Sequence, residues 1–330
     1  MKPNETLLLP RRDVCRLLNF DECILAVENA FRLYTEGKTL KPGLMHIDSV
    51  DGEFHIKAGG LHLGQRFFGL KVNGAFFHNV ERFGMANIQG LILLCDGETG
   101  YPLAVMDSSE ITIKRTGAAA AIAAKYLARP ESSIATICGC GTQGRIQLEA
   151  MKKILPLQKA YAFDVDKARA ESFAREMSEQ FGIPVVASAN LEDAMNKSDV
   201  CVTCTPSQRY YLRKEDVAAG TFVAAIGADS PQKQELDPNL LKSSKVVVDL
   251  IDQCAHVGEL HHAIDEGMNK EDVYAELGEI VAGKKPGRTT EGEITIFDAT
   301  GTALQDVSAA AVVFESAVRL GCGQKVDFFK

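Results

Sequence analysis

The run Gly139-Cys140-Gly141-Thr142-Gln143-Gly144 carries the most specific chemistry in the sequence. It follows the short apolar segment SIATIC and opens an amphipathic stretch containing Ile146, Leu148 and Met151. A strand before such a run and a helix after it are the context that gives the glycines a physical meaning. Gly139 allows a tight turn, Gly141 lets backbone approach a pyrophosphate, and Gly144 lets helix and strand pack closely. The pyrophosphate would sit on the free N–H groups of the helix N-terminus. Asp164 closes the next strand-like segment, KAYAFD, 25 positions after Gly139. A carboxylate there receives the adenosine ribose hydroxyls and repels a 2′-phosphate, so the expected cofactor is NAD rather than NADP.

Further candidates stand at the ends of other strand-like segments, where open α/β sheets bind ligands. These are Thr205-Pro206-Ser207, Ala228-Asp229-Ser230 and Ala299-Thr300-Gly301. Asp229 directly follows a glycine-containing turn and could carry the proton that accompanies hydride transfer. It could equally shape the turn before Pro231. Lys71 lies in the apolar segment FGLKVNGAFF, an expensive place for an unpaired charge. Arg115 is read at the start of an alanine-rich helix, where a cation opposes the dipole. Both placements call for an anion, either a substrate carboxylate or a carboxylate of the protein. The close pairs Cys138/Cys140 and Cys201/Cys204 sit in apolar runs without His or Cys partners at zinc spacing. They are expected to be buried thiols, and no metal site is expected.

Asp21 is read as the cap of a helix with the stripe Ile24, Val27, Phe31 and Tyr34, ending at Gly37. Residues 53–112 read as strands with turns at Asp96-Gly97 and Thr99-Gly100. The segment RTGAAAAIAAKYLA then predicts a helix from Lys114 to the residue before Pro130. Between 133 and 300, short β-branched apolar runs alternate with amphipathic stretches: SIATIC, KAYAFD, PVVAS, DVCVTC, TFVAAIG, KVVVD and ITIFD. Runs apolar on both faces belong to a parallel sheet covered by helices. The predicted fold class is α/β, a Rossmann-type doubly wound parallel sheet inserted into a smaller α+β substrate and dimerisation domain. Residues 1–118, completed by 303–330, would form the smaller domain, and 119–302 the nucleotide domain. The chain has 330 residues, 46% of them hydrophobic, and a net charge of −8. It shows no basic footprint for nucleic acid or anionic membrane. The N-terminal stretch MKPNETLLLPRRD has no signal-peptide pattern and no segment has spanning length, so a cytoplasmic protein is expected.

With these residues collected, the chain resembles the ornithine cyclodeaminase/mu-crystallin family, most of all its archaeal-type alanine dehydrogenase branch. The resemblance runs through GLKVNG, TGYPLAVMDSSEITIKRTGAAA, CGCGTQG, AIGADSPQKQELD, the Gly258-Glu259 region, ELGEIVAGKKPGR and ITIFDATGTALQD. It implies an NAD-binding domain inserted into a dimerising substrate domain, with a homodimer as the basic unit. It implies that Lys71 and Arg115 hold a substrate carboxylate and that Asp229 is the acid/base. Thr116, Gly141, Thr142, Gln143, Asp164, Lys233 and Thr300 match positions around the dinucleotide. Family members often carry an arginine near the first strands to grip the substrate. The corresponding LKPGLMHID has none, leaving Lys41 or His46 as substitutes. The implied activity is interconversion of a small amino acid with its imino or 2-oxo acid, as in alanine dehydrogenases and reductases of imines such as iminosuccinate. The alternatives are ornithine cyclodeamination, with NAD used and regenerated in each turnover, and a non-enzymatic binding role like that of mu-crystallin.

Overall fold

The computed structural model describes residues 5–330, so the first four residues of the N-terminal stretch lie outside the described residues. The described residues separate into two compact units, one formed by the chain up to 115 with 302–330 and the other by 116–301.

The first unit begins with β1 (Thr6–Leu9), α1 (Arg11–Leu17) and α2 (Phe20–Thr35). The cap of α2 is Asn19, whose side chain accepts from the N–H groups of Asp21 and Glu22. Asp21 is therefore a first-turn acid rather than the cap, because Asn19 already occupies the non-helical position whose side chain turns back onto those donors. The long strands β2 (Thr39–Ser49), β3 (Gly52–Leu63) and β4 (Gln65–Ala75) follow as a meander, then α3 (Asn79–Phe83), β5 (Ile88–Asp96) and β6 (Pro102–Asp107). Helix α4 runs from Ser109 to Leu127. It starts five residues before Lys114, because Asp107 Oδ1 accepts from Glu110 N and nucleates the turn there. Arg115 consequently lies inside the helix, not at its start, and the dipole argument does not apply to it.

The second unit contains β7 (Ile134–Cys138), α5 (Thr142–Ile154), β8 (Lys159–Phe163), α6 (Lys167–Phe181), β9 (Val185–Ala187), α7 (Leu191–Met195) and β10 (Val200–Thr203). It continues with β11 (Gln208–Leu212), β12 (Phe222–Ala225), β13 (Gln234–Leu236), α8 (Pro238–Lys242), β14 (Lys245–Val248), α9 (Ile251–Val257), α10 (Glu259–Asp265), β15 (Ala275–Glu276), α11 (Leu277–Val281) and β16 (Thr295–Asp298). Its main sheet has the order β15-β14-β16-β12-β10-β7-β8-β9, and every pairing in it is parallel. The direction of strand order reverses between β7 and β10, a switch point beside which doubly wound sheets bind ligands. Central strands such as β10 and β12 are buried at every residue, which is why they read as unbroken apolar runs.

The chain then returns to the first unit with α12 (Ala303–Leu320) and β17 (Gln324–Val326). The first sheet is thereby completed in the order β17-β1-β6-β5-β4-β3-β2. Helix α12 lies against β3 and β4 at an unusually close approach. A Cβ on Gly69 would fall 2.6 Å from Val307 Cγ2, so the absent side chain is what lets the helix reach the sheet. That approach delivers the first turn of α12, with Asp306, to the strand residues beside it.

Candidate functional site

In the first unit, β3 and β4 place Lys57 and Lys71 directly opposite each other. Two like charges in register are destabilising unless an anion lies between them. Asp306 supplies it: Lys71 Nζ donates to Oδ1 at 2.8 Å and stands 2.7 Å from Oδ2. Arg115 Nε donates to the same Oδ1 at 3.0 Å, and Arg115 Nη1 donates to Gln305 Oε1 at 3.0 Å. Lys71 and Asp306 are both only 2% exposed. Burial pushes the Lys71 ammonium down to about 7; Asp306 opposes this, while Arg115 and Lys57 reinforce it. Burial works against ionisation of Asp306 as well, yet Lys71, Arg115 and Lys57 hold its carboxyl below the usual range. Lys71 and Arg115 thus share one protein carboxylate, on which Lys57 also acts electrostatically. The sequence reading placed Lys71 and Arg115 as a pair and left open whether a substrate or the protein supplied the anion. Asp306 is such a protein anion, and it went unread although it lies within ITIFDATGTALQD.

Lys57 was also missed. The signal was present in Glu53-Phe54-His55-Ile56-Lys57, where polar residues alternate with apolar ones and must share a face of the strand. Of the two substitutes considered for the absent arginine, Lys41 is exposed, and His46 lies against Glu53 and His55 on the sheet face that carries Lys57.

In the second unit, Gly139 follows β7 with φ +101°, a conformation that favours glycine. A Cβ on Gly144 would meet Gly139 O at 2.1 Å, so glycine is required there for helix and turn to pack. Gly141 differs, because a Cβ there would meet nothing within 4 Å. No protein atom demands glycine at this position, which fits a backbone kept bare for a ligand's approach. Gly141 also leaves α5 without a side-chain cap, with Thr142 as its first residue. The side-chain oxygen of Gln143 is buried without a hydrogen-bond partner. These features fit a dinucleotide pyrophosphate. Asp164 is tied into the same loop: Oδ2 accepts from Cys140 N at 2.9 Å and Oδ1 from Asp166 N at 3.0 Å.

The strand ends rest on a layer of buried carboxylates that the sequence reading did not single out. Glu235 Oε1 accepts from Thr205 N and Oγ1, both at 2.7 Å, and from Tyr211 Oη at 2.8 Å. Its Oε2 accepts from Gly227 N at 2.9 Å. Glu259 accepts from the N–H groups of Glu235 and Leu236, Asp298 from Leu260 N, and Asp249 from Gly301 N and Thr300 Oγ1. Thr205 and Thr300 therefore have their hydroxyls engaged by the protein. Asp229 stands just beyond β12, with its carboxylate 2.6 Å from Lys233 Nζ and its side chain 38% exposed. Thr116 is buried in α4 as the first residue of this unit. All nine cysteines are unpaired, and burial pushes the Cys138, Cys140 and Cys204 thiols up. For Cys138, hydrogen bonding to Cys201 contributes most to that rise.

Burial pushes the Asp298 carboxyl up to about 7 from its ordinary 3.8. A carboxyl whose folded value is raised favours folding while protonated, so this contribution falls as pH climbs from about 4 to 7. Asp298→Asn, which mimics the protonated group, is expected to melt several degrees above the parent at pH 8. The gap should narrow as pH falls through 7 and close only near pH 4, as read by thermal unfolding from pH 4 to 8.

Comparison with known proteins follows these elements along the chain. The family model for ornithine cyclodeaminase/mu-crystallin proteins matches residues 4–320. The chain belongs to the ornithine cyclodeaminase/mu-crystallin family. Among relatives, an alanine dehydrogenase of Archaeoglobus fulgidus is 43% identical over 99% of both chains. An archaeal alanine dehydrogenase dimer with bound NAD superposes with a TM-score of 0.94 at 42% identity, covering 98% of this chain and 100% of that one. The Δ1-pyrroline-2-carboxylate reductase of Thermococcus litoralis, in complex with NADH and L-proline, gives 0.93 at 34% identity, covering 97% and 100%. The doubly wound sheet read from the sequence is the fold these family members share.

Proposed function

We propose that this family member is an NAD(H)-dependent oxidoreductase interconverting a small L-amino acid with its imino or 2-oxo acid. The observation that carries the reading is the convergence of two buried cations, Lys71 and Arg115, on the single buried carboxylate of Asp306. A buried cationic surplus is costly unless an anion joins it, and a substrate carboxylate is the complement. Gly139, Gly141, Thr142, Gln143 and Gly144 would hold the dinucleotide pyrophosphate, with Asp164 toward the adenosine ribose. Thr116, Thr205, Lys233 and Thr300 would complete the surroundings of the cofactor. NAD, when bound, supplies the two-electron acceptor for the substrate α-carbon. In the first unit Lys71 and Arg115 would bind and orient the carboxylate, and in the second Asp229 would accept or return the proton that accompanies hydride transfer. Lys233 holds the Asp229 carboxylate in place. No observation favours cyclodeamination over net redox.

The test is absorbance at the NADH wavelength with purified protein, NAD and a panel of alanine, aspartate, proline, ornithine and lysine. The reverse assay uses NADH with 2-oxo acids plus ammonia, or with a cyclic imine. Net NADH change with one substrate class is the expected result. Ammonia release from ornithine without net NADH change would replace the reading with cyclodeamination. No turnover with any of them, in either direction, would remove it.

The assembly proposed is a homodimer through the outer face of the first sheet. Met45, Ile56, Val72 and Leu91 form one register row across β2 to β5, and Met45, Val72 and Leu91 are exposed there with Ile47 and Phe54. A contiguous apolar face of this kind marks an interaction surface. Leu91→Glu is expected to convert the dimer to monomer in light scattering. A parent that is itself monomeric would rule the assembly out.

A further inference from the structure

We propose that His46, Glu53 and His55 form a binding site for a divalent transition cation of zinc's class on the β2–β3 hairpin. The hairpin register sets His46 directly opposite His55 and Asp48 opposite Glu53. Glu53 and His55, two apart on one strand, share a face with His46 and Asp48 across the ladder. The donor atoms of His46, Glu53 and His55 lie within 4.8 Å of one another. Glu53 bridges the pair, with Oε2 at 3.3 Å from His46 Nε2 and Oε1 at 3.0 Å from His55 Nε2. Ligands ~2.0–2.1 Å from a tetrahedral zinc are ~3.3 Å apart, which the two Glu53 contacts match; the three donor atoms, within 4.8 Å of one another, would draw together around one ion. Two imidazoles and a carboxylate select borderline cations over calcium or magnesium, which prefer oxygen alone.

A second observation concerns His55 itself. Its side chain is only 9% exposed, and its Nε2 has no hydrogen-bond partner despite its nearness to Glu53. An imidazole held by an ordinary ion pair would direct an N–H at that carboxylate. A buried ring nitrogen with no hydrogen bond, facing another imidazole and a carboxylate, is instead suited to donating its lone pair to a cation. His46 is 20% exposed, which leaves an entry path, and Asp48 Oδ1, 3.0 Å from His46 Nε2, offers a further oxygen on the solvent side. The ligands come from both strands, so one ion would clip β2 to β3. The spacing 46, 53, 55 matches no zinc pattern in sequence; only the strand pairing brings the residues together.

The test uses the full-length protein stripped with chelator and titrated with zinc chloride by calorimetry, with cobalt(II) as a spectroscopic probe. One zinc per chain is expected, with a rise in Tm and cobalt bands of nitrogen–oxygen ligation. His46→Gln and Glu53→Gln, both at partly exposed positions that should fold, are each expected to weaken zinc binding by at least ~10-fold and abolish the Tm rise. Zinc binding undiminished in both variants, or cobalt bands of thiolate ligation, would assign the metal to cysteines and overturn the proposal. No binding by the parent at millimolar zinc would reduce the group to a His–Glu ion-pair cluster. Because the readout is metal binding, it stands or falls separately from the proposed oxidoreductase activity.

Discussion

Asp229→Asn is expected to lower kcat by ~10²–10⁴-fold, the range for loss of a positioned general acid/base, while NADH affinity stays within a few-fold. Asparagine keeps the size of the side chain and an acceptor for Lys233 Nζ, which stands 2.6 Å from the aspartate. It also keeps the ability of this position to shape the turn before Pro231. A purely conformational role would therefore survive the substitution, and proton transfer would not. Steady-state turnover read together with NADH fluorescence titration separates the two, and unchanged kcat would remove Asp229 from the chemistry.

Lys71→Met is expected to reduce kcat/KM for the amino acid substrate by ~10²–10³-fold, in keeping with the ~2–5 kcal/mol lost when one partner of a buried charged contact is truncated. Arg115 remains hydrogen-bonded to Asp306 at 3.0 Å and Lys57 still acts on it, so the buried carboxylate keeps compensation in the variant. Stability should consequently fall much less than activity. The decisive comparison is between the amino acid and its amide, which lacks the carboxylate. If Lys71 serves the substrate, the variant loses most of the parent's preference for the acid over the amide. If it serves only Asp306, the preference is unchanged and the loss appears in Tm.

The parts of this fold that sequence disclosed are those where burial leaves a pattern. The runs SIATIC, DVCVTC and TFVAAIG are read directly as β7, β10 and β12 because both faces of each strand are covered. Strand β2 went unread because seven of its eleven residues are exposed and Pro42-Gly43 interrupt the run at an irregularity in its pairing with β3. Gly139 and Gly144 were legible because the tight turn and the close helix packing they serve depend on local order along the chain. The carboxylates Glu235, Glu259 and Asp249 were not, since each finds its donors through pairings that no spacing encodes. Lys57 lay between the two cases. Its alternation with Ile56 and Phe54 marked the face it occupies, but its neighbour Lys71 is set by the β3–β4 register.

The carboxylate layer beneath the strand ends has a consequence for how this scaffold can diversify. Glu235, Glu259, Asp298 and Asp249 grip main-chain N–H groups of Thr205, Gly227, Glu235, Leu236, Leu260 and Gly301. A main-chain donor is present whatever non-proline side chain the residue carries. Exposed loop residues not themselves needed for these grips, such as Pro206 and Gln232, can then be varied while the loops keep their positions. Randomised libraries built on such positions should retain folded protein at high frequency, whereas libraries that include 235 or 259 should not. Substrate range and fold integrity are in this sense written in separate residues.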